Sequence, residues 1–388
     1  MEIPLGMKKY SNGRVVCKLL KSLYGLKQSP WAWFDRFAKI VIKHGYTQSQ
    51  ADHTLFVKFS LTGKLTIFIV YVDDIIPTGD DSCEISDLKR LFASEFEIKD
   101  LGPLKYFLGM EVARSKDGIV ISQRKYILDL LKEIGMIGSK PVDTPMDPNL
   151  KAIRSEDSTP VERGSYQRLV GKLIYLSHTR PDIAFSVCVV SQHMHNPFEE
   201  HLEAVRRILR YLKMTPGLGL HFRKHNNRDL EVYTDSSWAG QLTDRRSTSS
   251  YCTYVWGNLV IWQSKKQSVV SRSSAESEYR ALALGIWEGM WLKRLINELR
   301  IDSPESFKMY SDSQAAINIA KNPVHHDRTK HVEIDRHFIF EKVNSKVIEL
   351  NYIPTKKQIV DILTKVLPKT SFEEFNSKLG LYNIYNTT

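Results

Sequence analysis

The sequence predicts an α/β protein built in three successive parts. Apolar, β-branched runs between turn residues predict strands in the first part, and apolar positions at three- and four-residue spacing predict helices through the second. In the third part, three strands, a long helix and then alternating strands and helices predict a mixed sheet. With 388 residues, 42% of them hydrophobic, the chain is long enough for about two to three domains with buried cores.

The charge balance indicates a polyanionic partner. The formal net charge is +11, which favours nucleic acid first and a membrane surface second. No apolar run approaches the roughly 20 residues of a membrane span, and the N-terminus lacks the apolar segment of a signal peptide. The four cysteines lie far apart, as free thiols do in a reducing compartment. We therefore expect an intracellular protein, cytoplasmic or nuclear, with no membrane partner; the sequence leaves the oligomeric state open.

The first part is organised around residues 65–80, LTIFIVYVDDIIPTGD. An apolar run reaches Asp73 and Asp74 and then resumes, which predicts a β-hairpin with the two acids at or beside its turn. Adjacent carboxylates repel one another, so the pair is either a solvated turn or part of a divalent metal site. Pro77 cannot donate a ladder hydrogen bond and therefore predicts an edge strand or a bulge.

The segments on either side of this hairpin alternate between helical and extended patterns. Ser29 and Pro30 start a helix with apolar positions at helical spacing. Gly102 and Pro103 lead into an extended segment. The other predicted elements are a helix over 82–96, a strand over 119–122 and a helix over 123–133.

The second part begins with a linker and continues as helices. Residues 138–163 contain four prolines and many charges, a composition typical of a loop or linker. From 166 to 214 the apolar positions repeat at helical spacing. The last of these helices carries Arg206, Arg207 and Arg210 on polar positions, which form either a solvated charged face or a face that contacts phosphates.

The third part follows a boundary marked by Gly217 and Gly219. Its pattern of three strands, a long helix and alternating elements is typical of an α/β layout with a mixed sheet. The predicted elements are strands over 230–234, over 249–255 and from 260, a helix over 275–299, a strand over 307–310, helices over 314–321 and 333–344, a strand over 347–352 and a helix over 357–367.

Four acids occupy related positions in this layout. Asp235 ends the first strand, Asp312 ends the fourth, Glu276 lies in the first turn of the long helix and Asp361 lies on the last helix. If the first and fourth strands are neighbours, Asp235 and Asp312 project from one edge of the sheet. Four carboxylates around a small volume can hold two Mg²⁺ ions ~4 Å apart, one to activate water and one to stabilise a leaving phosphodiester oxygen.

Each of these acids also has a structural interpretation. Glu276 completes a capping box, Asp312 is a good helix N-cap before Ser313, Asp235 suits a turn and Asp361 suits a solvated helix face. Taken together, four acids in the appropriate elements favour one metal site over four coincidences. The choice between Glu276 and Glu278, two residues further along the helix, stays open.

Several long motifs resemble copia-type LTR retrotransposon Pol polyproteins, and the resemblance covers essentially the whole chain. The likeness to the RNase H domain of that family rests on YTDSSWAG, SRSSAESEYRALA, YSDSQAAINIAKNPVHHDRTKHVEIDRHFI and YIPTKKQIVDILTK. The likeness to its reverse transcriptase, thumb and connection rests on CKLLKSLYGLKQSPWAWF, YVDD, DLGPLKYFLGMEV and YQRLVGKLIYLSHTRPDI. It implies a partial palm over 1–115 without fingers and first palm strand, a largely helical thumb and connection over 116–225, an RNase H-like domain over 226–370 and a C-terminal tail over 371–388.

The resemblance implies Mg²⁺-dependent cleavage of the RNA strand of RNA–DNA hybrids, with Mn²⁺ as a possible substitute. Asp235, Glu276, Asp312 and Asp361 match the catalytic acids that bind two ions. Asp73 and Asp74 match the polymerase metal site, whose third aspartate would precede residue 1, so we expect polymerase activity to be lost. A catalytically silent nucleic-acid-binding remnant is one alternative. RNA-directed DNA polymerase activity, if missing fingers are supplied, is another.

Further residues are candidates for contacts with the hybrid's backbone. Lys27 and Gln28 precede the first helix, and Lys105, Tyr106 and Gly109 resemble a segment that grips the primer end. A loop rich in histidine lacks cysteines at zinc-finger spacing, so we expect it to contact the hybrid or order the loop instead of binding zinc. The remaining candidates are Arg206, Arg207, Arg210, Arg328, Lys330 and His331.

Overall fold

The α/β class predicted from the sequence is confirmed. No helix among the described residues combines the length and apolar character that a membrane crossing requires. The chain divides into two compact units between Asp100 and Leu101. The computed structural model describes residues 25–96, 98–147, 159–240, 244–322 and 333–385.

The described part of the first unit consists of two helices and a four-stranded antiparallel sheet. Its elements are α1 (Ser29–Lys43), β1 (Thr47–Gln48), β2 (Leu55–Phe59), β3 (Leu65–Tyr71), β4 (Asp74–Gly79) and α2 (Ser82–Glu95). Pro30 lies in the first turn of α1, where its missing N–H breaks no helical hydrogen bond. The Asp81 side chain caps α2 by accepting the Glu84 N–H.

The strands of this unit lie in the order β1-β2-β3-β4. The two helices cover the sheet through an aromatic core, because apolar positions on each helix face the alternate residues of β2 and β3. Four phenylalanine rings form its centre, with centroids 5.1 to 6.0 Å apart: Phe37, Phe56, Phe68 and Phe92.

The second unit contains two further sheets and the remaining helices. In chain order its elements are β5 (Tyr106–Phe107), β6 (Met110–Ser115), β7 (Gly118–Ser122), α3 (Arg124–Glu133), α4 (Arg163–Leu176), α5 (Ala184–Ser191), α6 (Glu199–Met214), β8 (Leu218–Arg223), β9 (Leu230–Ser237), β10 (Thr248–Val255), β11 (Asn258–Lys266), α7 (Ser274–Glu298), β12 (Phe307–Ser311), α8 (Gln314–Lys321), α9 (Glu333–Asn344), β13 (Ile348–Tyr352), α10 (Asp361–Thr364), α11 (Lys369–Lys378) and β14 (Leu381–Asn383).

The two sheets of the second unit differ in topology. One is antiparallel with the order β14-β8-β7-β6-β5, and the helices α3 to α6 share an apolar core with it. The other has the order β11-β10-β9-β12-β13. Its first three strands in chain order are antiparallel, whereas β12 runs parallel to both β9 and β13. The first and fourth strands of the predicted layout are therefore neighbours, as the metal-site prediction requires.

The long helix α7 lies unusually close to this mixed sheet. A Cβ atom added at Gly285 would lie 2.5 Å from the Thr234 Cγ2 atom, and one at Gly289 would lie 2.5 Å from the Phe307 Cε2 atom. Such contacts are too short for carbon atoms, so only glycine permits this separation.

Two predicted elements differ from the structure. The predicted helix over 357–367 is only the short α10, preceded by a 3₁₀ turn over Thr355–Lys357. The described part of the predicted tail over 371–388 is folded, because Phe372, Phe375 and Leu381 are buried in the core and β14 pairs with β8. The other domain bounds stay a prediction.

Candidate metal centre

Three of the predicted acids converge at one edge of the mixed sheet. One carboxylate oxygen from each of Asp235, Asp312 and Asp361 lies within 4.8 Å of the others. The strand register explains the first two positions. Tyr233 of β9 pairs with Tyr310 of β12, and each aspartate follows its tyrosine by two residues. Since side chains alternate along a strand, both aspartates lie on the same face of the sheet as the tyrosines.

Local hydrogen bonds bring Asp361 to the same place. The Gln358 side chain donates to the Thr234 carbonyl at 2.9 Å and ties the segment before α10 to β9. The Thr364 hydroxyl, one turn after Asp361, donates to Asp235 Oδ2. The short helix α10 is therefore fastened to the strand that carries Asp235.

The structure corrects the interpretation of Asp312 as a helix cap. The residue that caps α8 is Ser313, whose hydroxyl accepts the Ala316 N–H at 3.2 Å. The carboxylate of Asp312 is consequently not used by the helix and lies in the cluster with Asp235 and Asp361.

The predicted ligand Glu276 does not join the cluster. Its Oε1 atom accepts a hydrogen bond from Arg280 at 3.0 Å, and its Oε2 atom accepts the Arg272 N–H at 2.8 Å. Its own N–H is bonded to the Ser273 hydroxyl at 3.2 Å. Glu276 is thus held by the Ser273 cap of α7, by the Arg272 N–H and by an ion pair with Arg280, in agreement with the structural interpretation of this residue.

Glu278, on the same helix, lies beside the cluster of three aspartates. It is 8% exposed, and its Oε1 atom accepts the Ser236 N–H at 3.1 Å, immediately after Asp235 in β9. Its Oε2 atom is buried and has no hydrogen-bond partner among the described residues. Two residues rotate a side chain by about 200° around a helix, so Glu278 faces the sheet whereas Glu276 faces Arg280.

Burial, together with neighbouring carboxylates, raises the pKa values of Glu278, Asp361 and Asp235. Burial, followed by the charges of Asp235 and Asp312, raises the pKa of Glu278 to about 9. Burial and then the charge of Asp235 raise the pKa of Asp361 to about 7. Burial also raises the pKa of Asp235, although the charge of Lys365 acts in the opposite direction. Added positive charge near these carboxylates would favour their ionised forms.

Lys365 supplies one such charge. Its Nζ atom lies 2.8 Å from Asp361 Oδ1 and 3.9 Å from Asp235 Oδ2. One ammonium does not match the formal charge of the three clustered aspartates. Carboxylate oxygens are hard ligands suited to Mg²⁺ or Mn²⁺. The buried Oε2 atom of Glu278 offers one more oxygen that could bind a metal ion. The residues present therefore fit a divalent metal centre.

The acid pair of the first unit has a different setting. The strands β3 and β4 form a hairpin with Val72 and Asp73 in its two-residue turn, and Tyr71 pairs with Asp74. Both aspartates are exposed. Among the described residues, no third acid, histidine or cysteine completes a metal group with them. Pro77 lies on β4, at the edge of the sheet of described strands, as predicted.

The hairpin turn contains an unusual backbone conformation. Val72 has a φ of +52°, in the left-handed region that a β-branched residue rarely adopts. Two-residue hairpin turns favour positive φ because it matches the twist of the strands, so the turn imposes this conformation on a residue poorly suited to it.

The predicted phosphate-binding arginines of α6 are paired with acids. Arg206 lies 2.6 Å from Glu199, and Arg210 lies 2.8 Å from Glu203. Arg207 lies 3.1 Å from Asp147. These pairs agree with a solvated charged face, and a role in phosphate binding stays a prediction.

The other predicted contacts are distributed over both units. Lys27 and Gln28 are exposed before α1, and Lys105 and Tyr106 are exposed next to β5. Gly109, with a φ of +74°, approaches the Tyr175 ring. Arg328, Lys330 and His331 lie outside the described residues.

Comparison with known proteins identifies two groups of relatives. Residues 1–148 match the family model described as reverse transcriptase (RNA-dependent DNA polymerase). The chain is 41% identical to the retrovirus-related Pol polyprotein from transposon RE1 of Arabidopsis thaliana over 99% of its own length, and it spans 26% of that polyprotein. It is 32% identical to the putative transposon Ty5-1 protein of Saccharomyces cerevisiae, with 71% of this chain and 90% of that protein covered.

A solved structure with a similar fold is the N-terminal RNase H domain of a Mycobacterium tuberculosis protein, fused to maltose binding protein. It is 10% identical, with a TM-score of 0.26, and the match covers 39% of this chain and 98% of that chain.

Proposed function

Because the chain belongs to the family of copia-type retrotransposon Pol polyproteins, we propose that residues 226–370 cleave the RNA strand of RNA–DNA hybrids with Mg²⁺. The observation that carries this proposal is the approach of Asp235, Asp312 and Asp361 to within 4.8 Å of one another. Glu278 contributes the fourth acid from α7. Three aspartates far apart in the sequence meet at one sheet edge, and Glu278 lies beside them, which a structural role for each would not require.

Each acid would bind metal through the oxygens that it presents to the cluster. Asp235, Glu278, Asp312 and Asp361 would hold two Mg²⁺ ions, and Mn²⁺ would substitute because it takes the same oxygen ligands. When bound, the ions would activate the attacking water and stabilise the leaving oxygen of the phosphodiester.

The surrounding residues would orient these ligands. The Thr364 hydroxyl fixes Asp235 Oδ2, and the Ser236 N–H fixes Glu278 Oε1. Lys365 partly neutralises Asp235 and Asp361. Hydrogen bonds of this kind hold ligand oxygens in place. Removing one typically lowers metal affinity or activity by about 10- to 100-fold.

The experiment compares two glutamates of the same helix. Cleavage of a labelled RNA–DNA hybrid with Mg²⁺ is measured for the unmodified chain, for Glu278→Gln and for the matched control Glu276→Gln. We expect Glu278→Gln to lose at least roughly a hundredfold in rate because a metal ligand is removed, whereas Glu276→Gln should keep most of the activity. Equal losses in both variants, with thermal unfolding unchanged, would contradict the site.

A catalytically silent protein would give a different result. It would bind the hybrid in a salt-sensitive manner but would not cleave it at any Mg²⁺ or Mn²⁺ concentration. That outcome would replace the proposed activity with nucleic-acid binding alone.

A second candidate is RNA-directed DNA polymerase activity, which the family match over residues 1–148 favours. We propose that Asp73 and Asp74 are two acids of its metal site. Because no third ligand joins them among the described residues, we expect the chain alone not to extend a primer. Primer extension by the isolated chain with Mg²⁺ or Mn²⁺ would contradict this expectation.

A further inference from the structure

The antiparallel sheet of the second unit carries a groove of about 1280 Å³ that none of the predicted site residues lines. Its floor consists of small side chains. Ala113 and Ser115 of β6 pair with Val120 and Gly118 of β7, and paired residues of an antiparallel sheet share a face. The register of β8 brings Arg223, the partner of Gly118, to the same face. The floor is low because Ala113, Ser115, Gly118 and Val120 have short side chains or none.

The rim of this groove carries three cations. Lys116 lies in the β6–β7 turn, and Arg223 and Lys224 come from the end of β8. None of the three forms an ion pair in the described part of the chain. His225 also lines the groove.

Two acids, Glu111 and Asp117, also line the groove and offset part of this charge. Neither forms an ion pair with the rim cations among the residues that the structure describes; Glu111 accepts the Lys125 N–H at 3.1 Å. The arginines of α6, in contrast, have carboxylates at 2.6 to 3.1 Å. The cations of the groove rim are therefore less tightly held by acids than those of the surface that the sequence suggested.

Planar groups line one wall of the groove. Tyr382 of β14 is 37% exposed, with the Arg223 guanidinium carbon 4.6 Å from its ring centroid. The His221 ring lies 5.2 Å from the same ring. Unpaired bases stack on aromatic rings and on guanidinium planes, whereas the bases of a duplex are already stacked on one another.

We propose that this groove binds a single strand of nucleic acid. The phosphates lie against Lys116, Arg223 and Lys224, and a base stacks on the Tyr382 wall. The charges would suit any polyanion, but the aromatic wall gains free energy only from exposed bases, which favours a single strand over a duplex. The proposal goes beyond hybrid cleavage because the groove contains none of the four metal-centre acids and needs no metal.

Binding is measured in the presence of EDTA by fluorescence anisotropy, with labelled 15-nucleotide oligo-dT and oligo-U and with a blunt duplex. The full chain carries Asp235→Asn in every sample, so that cleavage does not enter. Arg223→Ala/Lys224→Ala should weaken binding of both single strands by roughly tenfold or more and should lower the slope of log K against log salt by about 1.4. The control Lys172→Ala/Arg294→Ala removes two cations that lie on α4 and α7, and it should have little effect.

A second pair of variants tests the aromatic wall. Tyr382→Leu should weaken binding of the single strands by roughly tenfold, whereas Tyr382→Phe, which keeps the ring, should bind as the unmodified chain does. Equal weakening by the groove and control double variants would overturn the site, provided that thermal unfolding is unchanged. Tighter binding of the duplex with the same dependence on Arg223 would overturn the assignment to a single strand. Failure of hybrid cleavage would affect neither readout.

Discussion

The two acidic sites of this chain are built in opposite ways. Asp73 and Asp74 are neighbours in the sequence, and a hairpin turn exposes them at its tip. Asp235 and Asp361 are 126 positions apart by number, and the fold buries both. The first site follows from local structure, whereas the second requires the parallel pairing of β9 with β12 and the attachment of α10.

This difference has an electrostatic consequence. Water can solvate the exposed pair at the hairpin tip without any cation. The buried acids lack that solvation, so their charges act on one another and raise the pKa values of Glu278 and Asp361. A buried cluster therefore has a stronger requirement for bound cations than an exposed pair of the same acids.

The largest expected effect separates the two sites by activity. Asp235→Asn should lower hybrid cleavage by roughly a thousandfold, because it removes an oxygen ligand at the centre of the cluster. Asp73→Asn is the matched control and should leave cleavage unchanged. The rates are compared at saturating Mg²⁺ with a labelled hybrid. A comparable loss of cleavage in Asp73→Asn would show that the hairpin acids also contribute to cleavage, and it would contradict the separation of the two sites.

The next effect concerns stability against pH. The folded-state pKa of Glu278 is raised to about 9 and that of Asp361 to about 7, so the folded chain retains protons that the unfolded chain releases. Between about pH 5 and 9 the metal-free protein should therefore lose stability as pH rises, by on the order of a few kcal/mol.

Urea unfolding at several pH values, with EDTA or with Mg²⁺, measures this dependence. Mg²⁺ should reduce it by stabilising the ionised carboxylates. Glu278→Gln should reduce it as well, whereas Asp74→Asn should not. A stability that increases from pH 5 to 9 without metal would contradict the buried cluster.

A smaller effect tests the orientation of Asp235. Thr364→Val keeps the shape of the side chain but removes the hydroxyl that donates to Asp235 Oδ2. We expect about a tenfold loss of Mg²⁺ affinity, measured by calorimetry, with cleavage reduced in parallel at limiting Mg²⁺. Thr364→Ser restores the hydroxyl and should restore the affinity. Unchanged affinity in the valine variant would show that the hydrogen bond does not orient the ligand.

The smallest effect concerns the hairpin. Val72→Gly removes the strain of a positive φ, and this gain exceeds the cost of the added flexibility of the unfolded chain. We therefore expect the free energy of unfolding of the first unit to increase by about 0.5 kcal/mol. Val72→Ala, which keeps a Cβ atom, should not give this gain. Denaturant unfolding followed by tryptophan fluorescence, to which Trp33 contributes from its packing against the first unit's core, reports the change. Destabilisation by glycine would indicate that the turn is not strained.

Much of the metal centre was predictable from the sequence because it depends on element order. Asp235 and Asp312 end strands that the α/β pattern makes neighbours, and Asp361 follows the next strand. The choice between Glu276 and Glu278 was left open, although the sequence contains a signal for it. Ser273 and Glu276 already form a recognisable capping box, and that pairing leaves Glu278, on the other side of the helix, as the available acid.

Other features depend on partners that are distant in the sequence. The groove arises from strand register among β6, β7 and β8, and β8 follows β7 only after the helices α3 to α6. The neutralisation of Arg207 by Asp147 joins residues 60 positions apart. A pattern of apolar residues specifies elements, but it does not state which charged side chains will face one another.

The glycines of α7 have a consequence for how this protein can change by mutation. Gly285 follows Glu278 by seven residues, so both lie on nearly the same side of the helix. A methyl group at Gly285 would push against Thr234, in the strand that also carries Asp235. A single-nucleotide change at that codon could therefore alter the spacing between ion ligands without altering any ligand. Comparison of the clustered acids alone would classify such a descendant as intact. The distances between those acids would nevertheless have changed, because the strand that carries Asp235 had moved.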